Sequence, residues 1–462
     1  MSRITHPYIP NSAPEARRKA LEVIGVDDVE ELYAAIPERL RLRKDLDLPD
    51  AIRSEQGLRR HVERILSSNR GTRDYLSFLG GGCWEHYVPA VCDEINSRGE
   101  FLTAYGGQNY SDHGKYQALF EFQSLMGELV GMDVVSAPTY DWAGAAASAL
   151  LMACRITGRS KTLGPEAISA EKLAQIRNFA RPAATIETVR YDRATGALDL
   201  DDLRSKVDDQ TAAVYFENPS YLGLIEGGGA MISEIAHEAG AMSIVGVDPS
   251  SLGVLTPPSE YGADIVCGEI QPLGMHMQAG GGLGGFIASR DDEQLVAEYP
   301  TYLVSLGAPE EGGGWGFGVS TFERTSYEKR ESSPDYYGTT QWLWGITAAV
   351  YLALMGPRGM EELGEGMMQR SLYTMRLFDS IDGVRCPVFA SASVKEFTVN
   401  FDGTGRTVEE INAALLDRGI FGGKDLSKEL PELGQSALYC VTEVHTQGDL
   451  HTLADAVAEV LS

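Results

Sequence analysis

The chain has 462 residues, enough for a large buried core and more than one structural unit. Its 43% hydrophobic and 23% charged residues fit a soluble globular protein and exclude a disordered chain. With 39 basic against 66 acidic residues the formal charge is −27, which repels phosphate backbones and argues against a nucleic-acid binder.

Residues 1–75 read as a helical arm. Ser12 followed by Glu15 has the capping-box pattern ahead of ARRKALEVIG, with Gly25 as the stop. Asp27 or Asp28 can cap VEELYAAI, which ends at Pro37, and Pro49-Asp50 open an amphipathic stretch running to Asn69. The N-terminus lacks the apolar core of a signal peptide.

Residues 76–345 alternate helical and strand patterns. Tyr140–Arg155 is a helix of small residues. Ala212–Phe216, Met242–Val247 and Asp264–Cys267 are short apolar strands, with a helix over Met231–Glu238. This alternation predicts an α/β fold, a mostly parallel sheet covered by helices. Residues 346–462 read as linking helices, broken at Gly356-Pro357, and a small α+β domain. Its strands are expected at Lys395–Phe401 and Leu438–Val444, its helices at Val408–Arg418 and Asp449–Leu461. The uncharged stretch Tyr336–Pro357 is expected to be a buried helix with its lead-in loop, so no membrane association is predicted.

Few motifs carry chemistry. GGGLGG at 280–285 matches GxGxxG, but the FIAS that follows reads as a strand, whereas a dinucleotide site needs a helix there. Six scattered cysteines without a CxxC pair suggest neither zinc nor disulfides and point to a reducing, cytoplasmic compartment. Cys83, set among glycines, is read as packed rather than nucleophilic. His237-Glu238 does not extend to HExxH, and no metal site is expected.

Ala143-Gly144-Ala145 opens a helix whose free N–H groups suit a phosphate, or merely pack. Asn218 and Asp248 each end a strand before a proline. They either cap turns or face a ligand at the carboxyl edge of the sheet, where an Asp can pair with the ring nitrogen of a pyridoxal cofactor. Such a pocket also needs a lysine, and none occurs between Lys206 and Lys329.

A set of segments spread over the chain resembles one family. YIPN (8–11), IGVDDVEELYAAIPERLRL, DLPDA (47–51), FLGGG (78–82), HYVPAV (86–91), EFLTAY (100–105) and FEFQSLMGELVGMDV (120–134) are similar to the alpha chain, subunit 1, of the split glycine dehydrogenase (decarboxylating), the P-protein of the glycine cleavage system. AHEAGA, VDPSSLGVL, PPSEYGADIVCGE and AAVYLALMGPRGMEEL continue the match. The resemblance implies the fold-type I architecture of pyridoxal-phosphate transferases, like aspartate aminotransferase, and an alpha–beta pair doubled to a tetramer. It implies that the beta subunit carries pyridoxal phosphate on its lysine, while Gln271 stands near that position here. The degenerate cofactor pocket would then comprise Gly144, Asn218, Asp248 and Gln271. The implied reaction decarboxylates glycine, a small amino acid substrate, and passes the aminomethyl group to a lipoyl carrier, H-protein.

Three loops depart from the family. Where the family reads TPYQPEISQG, this chain reads GGQNYSDHG; where it reads KATSNICTNQ, this chain reads SSPDYYGTTQ; and GPEAIS replaces the histidine-bearing TVHPEY segment. Tyr105, Gln108, Tyr110, His113, Tyr336 and Tyr337 are therefore the candidates for the partner interface and substrate entrance. The altered loops leave two alternatives to glycine cleavage. One is a diverged paralogue with the same architecture acting on another amino acid or amine. The other is a non-catalytic scaffold or regulatory subunit.

Overall fold

The computed structural model describes the chain apart from residues 1–4, 6–7, 10–11, 43, 45, 103–112, 182, 279–283, 302, 309–311, 321–323, 327–328, 330–336 and 339, and the side chains of residues 113 and 114. The chain divides into Met1–Asn69 and Arg70–Ser462. In the first unit, helix α1 (Pro14–Ile24) begins at Ala13 rather than Ser12, because Pro14 takes the first helical position, where its missing N–H costs nothing. Gly25, at φ 83°, ends it. VEELYAAI forms a shorter, tighter element than expected: a 3-10 helix over Val29–Tyr33, closed by the capping box of Asp28 and Glu31. Helix α2 (Glu55–Leu66) starts at Ser54, whose Oγ accepts from Gly57 N–H, and not at Pro49-Asp50.

The second unit is built on a seven-stranded sheet. Its strands are β1 (Val134–Val135), β2 (Lys161–Pro165), β3 (Thr185–Val189), β4 (Thr211–Glu217), β5 (Met242–Val247), β6 (Ile265–Glu269) and β7 (Gly285–Ser289), in the order β1-β7-β6-β5-β4-β2-β3. From β3 to β6 all neighbours are parallel; β7 runs antiparallel to both β6 and β1. Strands β4, β6 and β7 are buried along their whole length and β5 nearly so. This is why they read as continuous apolar runs rather than alternating ones.

Helix α3 (His113–Val130) precedes the sheet. Helix α4 (Trp142–Thr157) is buried from Trp142 to Cys154, and its run of small residues over 143–149 lets its first two turns approach the strands closely. It packs in one core with Tyr215, Ile244, Ile265 and Ile287 of the sheet. Helices α5 (Ala170–Ala180) and α6 (Gly229–Glu238) follow β2 and β4. The long helix α7 (Trp342–Asp379) is interrupted at Gly356, where φ is +59° and Pro357 can offer no N–H.

Beyond it, β8 (Glu396–Asn400), β9 (Lys424–Asp425) and β10 (Ser436–Cys440) form a three-stranded antiparallel sheet in the order β8-β10-β9. Its core, with Phe378, Phe397 and Tyr439, is completed by α8 (Val408–Leu416) and α9 (Gln447–Leu461).

Candidate functional site

The carboxyl ends of three neighbouring strands converge on one edge of the large sheet. Strand β4 delivers Asn218, β5 delivers Asp248, and Gln271 follows β6. The N-terminus of α4, with Gly144, meets the same edge, since Trp142 N–H bonds to Glu269 at the end of β6 (3.3 Å). The structure thus brings Gly144, Asn218, Asp248 and Gln271 together around a topological position where α/β sheets hold ligands.

Each of these groups is already engaged by the chain itself. Asp248, 4% exposed, accepts at Oδ1 from Ser250 N–H (3.1 Å) and Ser250 Oγ–H (2.8 Å). Its Oδ2 lies 2.6 Å from Nζ of Lys395, itself 3% exposed. Lys395 stands just ahead of β8 and so belongs to the C-terminal sheet. Burial alone would raise the Asp248 carboxyl, but the adjacent ammonium outweighs it and holds the group below the usual carboxylate range.

The ammonium of Lys395 also reaches Ser250 Oγ (3.1 Å) and His86 Nε2 (2.9 Å), and lies 3.8 Å from the ring centre of Trp84. With Lys395 charged, His86 Nε2 must accept. That fixes the tautomer with Nδ1–H directed to Glu443 Oε2, 2.9 Å away. Glu443 Oε1 takes Tyr87 N–H (2.7 Å). Its carboxyl falls to about 2: burial opposes this, and the imidazole and the N–H groups it faces prevail. A continuous chain Asp248–Lys395–His86–Glu443 therefore runs from the sheet edge to a partly exposed carboxylate.

A second buried pair lies beside it. Lys172 of α5 bonds to Glu217 Oε1 (2.7 Å) and sits 3.4 Å from the ring centre of Trp142. Tyr215 O–H donates to the same oxygen (2.7 Å); burial keeps this phenol protonated.

At the N-terminus of α4, Gly144 N–H donates to Asp141 Oδ1 (2.6 Å), so two carboxylates, Asp141 and Glu269, occupy donors that could otherwise hold an anion. Gln271 donates to Trp84 O and Met275 O (both 3.0 Å) and accepts from Trp84 N–H (3.2 Å), anchoring the segment that carries the indole. Asn218 Oδ1 accepts from Glu226 N–H (3.1 Å).

Glycine is required where the chain crosses below Lys395. Gly223 has φ +82°, and a Cβ there would lie 2.1 Å from the carbonyl oxygen of Glu396. The cavity left among Trp84, Trp142, Lys172, Tyr221 and Lys395 is about 20 Å3, room for roughly one water.

Sequence reasoning missed Lys395, His86, Glu443, Lys172 and the two tryptophans. The available signal was the pair Lys395-Glu396 at the start of a predicted strand that also carries Phe397, Val399 and Phe401, since charges at buried strand positions demand partners. Tyr105, Gln108, Tyr110 and Tyr336 lie outside the described residues. His113 begins α3, with its side chain likewise outside the description. Tyr337 is enclosed within this chain at 2% exposure. Its ring packs on Tyr140 (4.8 Å between centres), and its hydroxyl accepts from Ser148 Oγ–H (3.2 Å) of α4. Burial pushes the Cys83 thiol up to about 11, which leaves it protonated and a poor nucleophile at neutral pH.

Comparison with known proteins covers nearly the whole chain. The family described as glycine cleavage system P-protein matches residues 6–454. A probable glycine dehydrogenase (decarboxylating) subunit 1 of Staphylothermus marinus is 40% identical over 99% of both chains. Its counterpart from Thermococcus onnurineus is 36% identical over 98% of this chain and 99% of that protein. A crystal structure of glycine decarboxylase (P-protein) of the glycine cleavage system, in inhibitor-bound form, superposes with a TM-score of 0.86 at 32% identity, covering 98% of this chain and all of that one. The sphingosine-1-phosphate lyase of Burkholderia pseudomallei shares the fold at a TM-score of 0.63 and 15% identity, over 93% and 94% of the two chains. The architecture is that of the fold-type I pyridoxal-phosphate enzymes.

Proposed function

The chain belongs to the glycine cleavage system P-protein family, and on that premise we propose that it is the alpha subunit of a two-chain glycine decarboxylase whose pyridoxal phosphate is carried by the beta subunit. The observation that supports this is the state of its own pocket. A resident pyridoxal phosphate needs a lysine for covalent attachment, a carboxylate for its ring nitrogen and free donors for its phosphate. Here Gln271 follows β6, Lys395 covers Asp248, and Asp141 and Glu269 take the donors of α4. The residues present do not fit the group.

Several features suit a subunit that works in a complex. Residues 1–69 hold twelve basic and twelve acidic residues, so they are neutral while the remainder of the chain carries the full −27. Helix α2 has Leu58, Val62, Ile65 and Leu66 on one face at 41–55% exposure, a stripe suited to burial against another chain. Residues Tyr105, Gln108, Tyr110, His113 and Tyr336 are our candidates for the surface facing the beta subunit's site. That site decarboxylates glycine and delivers the aminomethyl group to a lipoyl carrier protein. Among the described residues no helix is long and apolar enough to cross a membrane, and we place the complex in the cytoplasm.

Glycine-dependent release of carbon dioxide, measured with lipoyl carrier protein and each subunit alone or together, tests the proposal. Activity is expected only from the pair. Equal activity from the beta subunit alone would make this chain a scaffold. A pair inactive on glycine but active on another amino acid would point to the altered loops at 106–114 and 332–341.

A further inference from the structure

We infer that the cofactor-shaped cavity of this chain has become an internal electrostatic lock: Lys395 of the C-terminal sheet is inserted onto Asp248 of the large sheet, fixing the two sheets together and closing the cavity to any pyridoxal-type ligand. The inference draws on the proposed function only for the identity of the ligand excluded.

The geometry fits this point by point. In a fold-type I site, the aspartate at the end of the strand pairs with a protonated ring nitrogen. Here the same carboxylate meets the ammonium of Lys395 at 2.6 Å, one cation standing in for another. At the opposite end, the helix N-terminus that suits a phosphate is satisfied by Asp141 and Glu269, one anion standing in for another. The indoles of Trp84 and Trp142 occupy the space between, each with a lysine ammonium over its face, at 3.8 and 3.4 Å. What remains, about 20 Å3, is an order of magnitude below the roughly 300 Å3 of a small ligand pocket.

The lock is anchored on both sides. Lys395 leads into β8, and His86 ties it to Glu443, beyond β10, so the ion pair is continuous with the C-terminal sheet. Asp248 is held by Ser250 at the end of β5. Further bonds run across the same seam: Tyr221 O–H to Glu429 (2.7 Å) and Arg193 to Glu432 (2.7 Å). A buried ion pair of this kind stabilises little relative to an apolar pair, but loss of one partner strands the other charge in the interior. Such a device therefore makes opening of the seam costly.

The test uses the full chain and has two arms. In the first, hydrogen exchange is followed at the amides of 396–400 in the wild type, in Lys395→Met, and in the double variant Lys395→Met with Asp248→Asn. The single change is expected to speed exchange a hundredfold or more, by leaving Asp248 unpaired. The double variant, with neither charge of this pair left, is expected within tenfold of the wild type. Wild-type exchange in the single variant would overturn the lock. So would a double variant as damaged as the single one, which also decides the matter should the single variant fail to fold.

In the second arm, pyridoxamine 5′-phosphate, which cannot form an imine with surface lysines, is titrated calorimetrically into the wild type. No saturable binding is expected up to 1 mM. Uptake of one equivalent with quenching of tryptophan fluorescence would show the cavity open. Neither arm involves the beta subunit or glycine, so a failure here is distinguishable from a failure of the activity assay on the two subunits, although an open cavity would remove the pocket observation that supports the proposed function.

Discussion

Replacing Glu443 by glutamine removes one charge from the end of the buried chain while keeping its shape. Glutamine can still accept Tyr87 N–H, so the change reports on charge alone. The carboxyl lies at about 2 in the folded protein against an ordinary 4.5, and its side chain is only 21% exposed. With His86 neutral, the share of that depression that comes from a charge on its ring is absent at neutral pH, and the hydrogen bonds to the carboxylate leave about 1–2 kcal/mol of stability. Because the folded value is the lower one, the contribution is complete above pH 4.5 and is lost as pH falls from 4.5 towards 2. Urea unfolding of wild type and Glu443→Gln at pH 7, 5.5, 4 and 3 measures it. The two proteins should differ by about 1–2 kcal/mol at pH 7 and 5.5, and converge below pH 4.5. A gap under about 0.5 kcal/mol at pH 7, or one that does not narrow with acid, would refute the reasoning, since an unstrained surface carboxylate behaves in that way.

Other changes follow from the same contacts. Gly223→Ala forces a Cβ towards the Glu396 carbonyl at a positive φ and should cost about 2 kcal/mol or more in unfolding experiments. Asp141→Ala removes the cap of α4 and should cost about 1 kcal/mol, with Asp141→Asn losing much less. Phe397→Ala, in the core of the C-terminal sheet, should cost about 3–5 kcal/mol. Cys83, its thiol at about 11, should resist iodoacetamide at pH 8, where about one molecule in a thousand is the thiolate; labelling at the rate of a free thiol would contradict its placement.

The centre of the large sheet, β4 to β7, was legible because its strands are buried on both faces, whereas β1 to β3, with the alternating exposed edge strand β3, gave no such run. AAVYF and MSIVGV are unbroken apolar runs, and the turn chemistry of Asn218-Pro219 and Asp248-Pro249 marks where they stop. The small-residue helix was equally plain, since the run of alanine, glycine and serine over 143–149 signals close packing all round. In the N-terminal unit, VEELYAAI has a helical pattern but tightens into a 3-10 turn; none of its residues is buried, so no core enforces a regular amphipathic helix.

The site itself was only half readable. Asp248 announces itself as an acid at a strand end, yet nothing local to it names Lys395, and His86 lies 309 residues from that lysine and 357 from Glu443. Buried charges are matched through the fold, not along the chain. The sequence therefore displayed a pocket lacking its lysine, while the lysine that fills it arrives from the other sheet.

The central claim is that this chain works beside a partner that holds the cofactor. Borohydride reduction of the complex purified from its native source, followed by intact mass measurement of every polypeptide, tests it most directly. A pyridoxyl adduct is expected on the second chain, and an unmodified mass for this one. An adduct on this chain would contradict it, placing a reactive lysine in a pocket that we describe as closed.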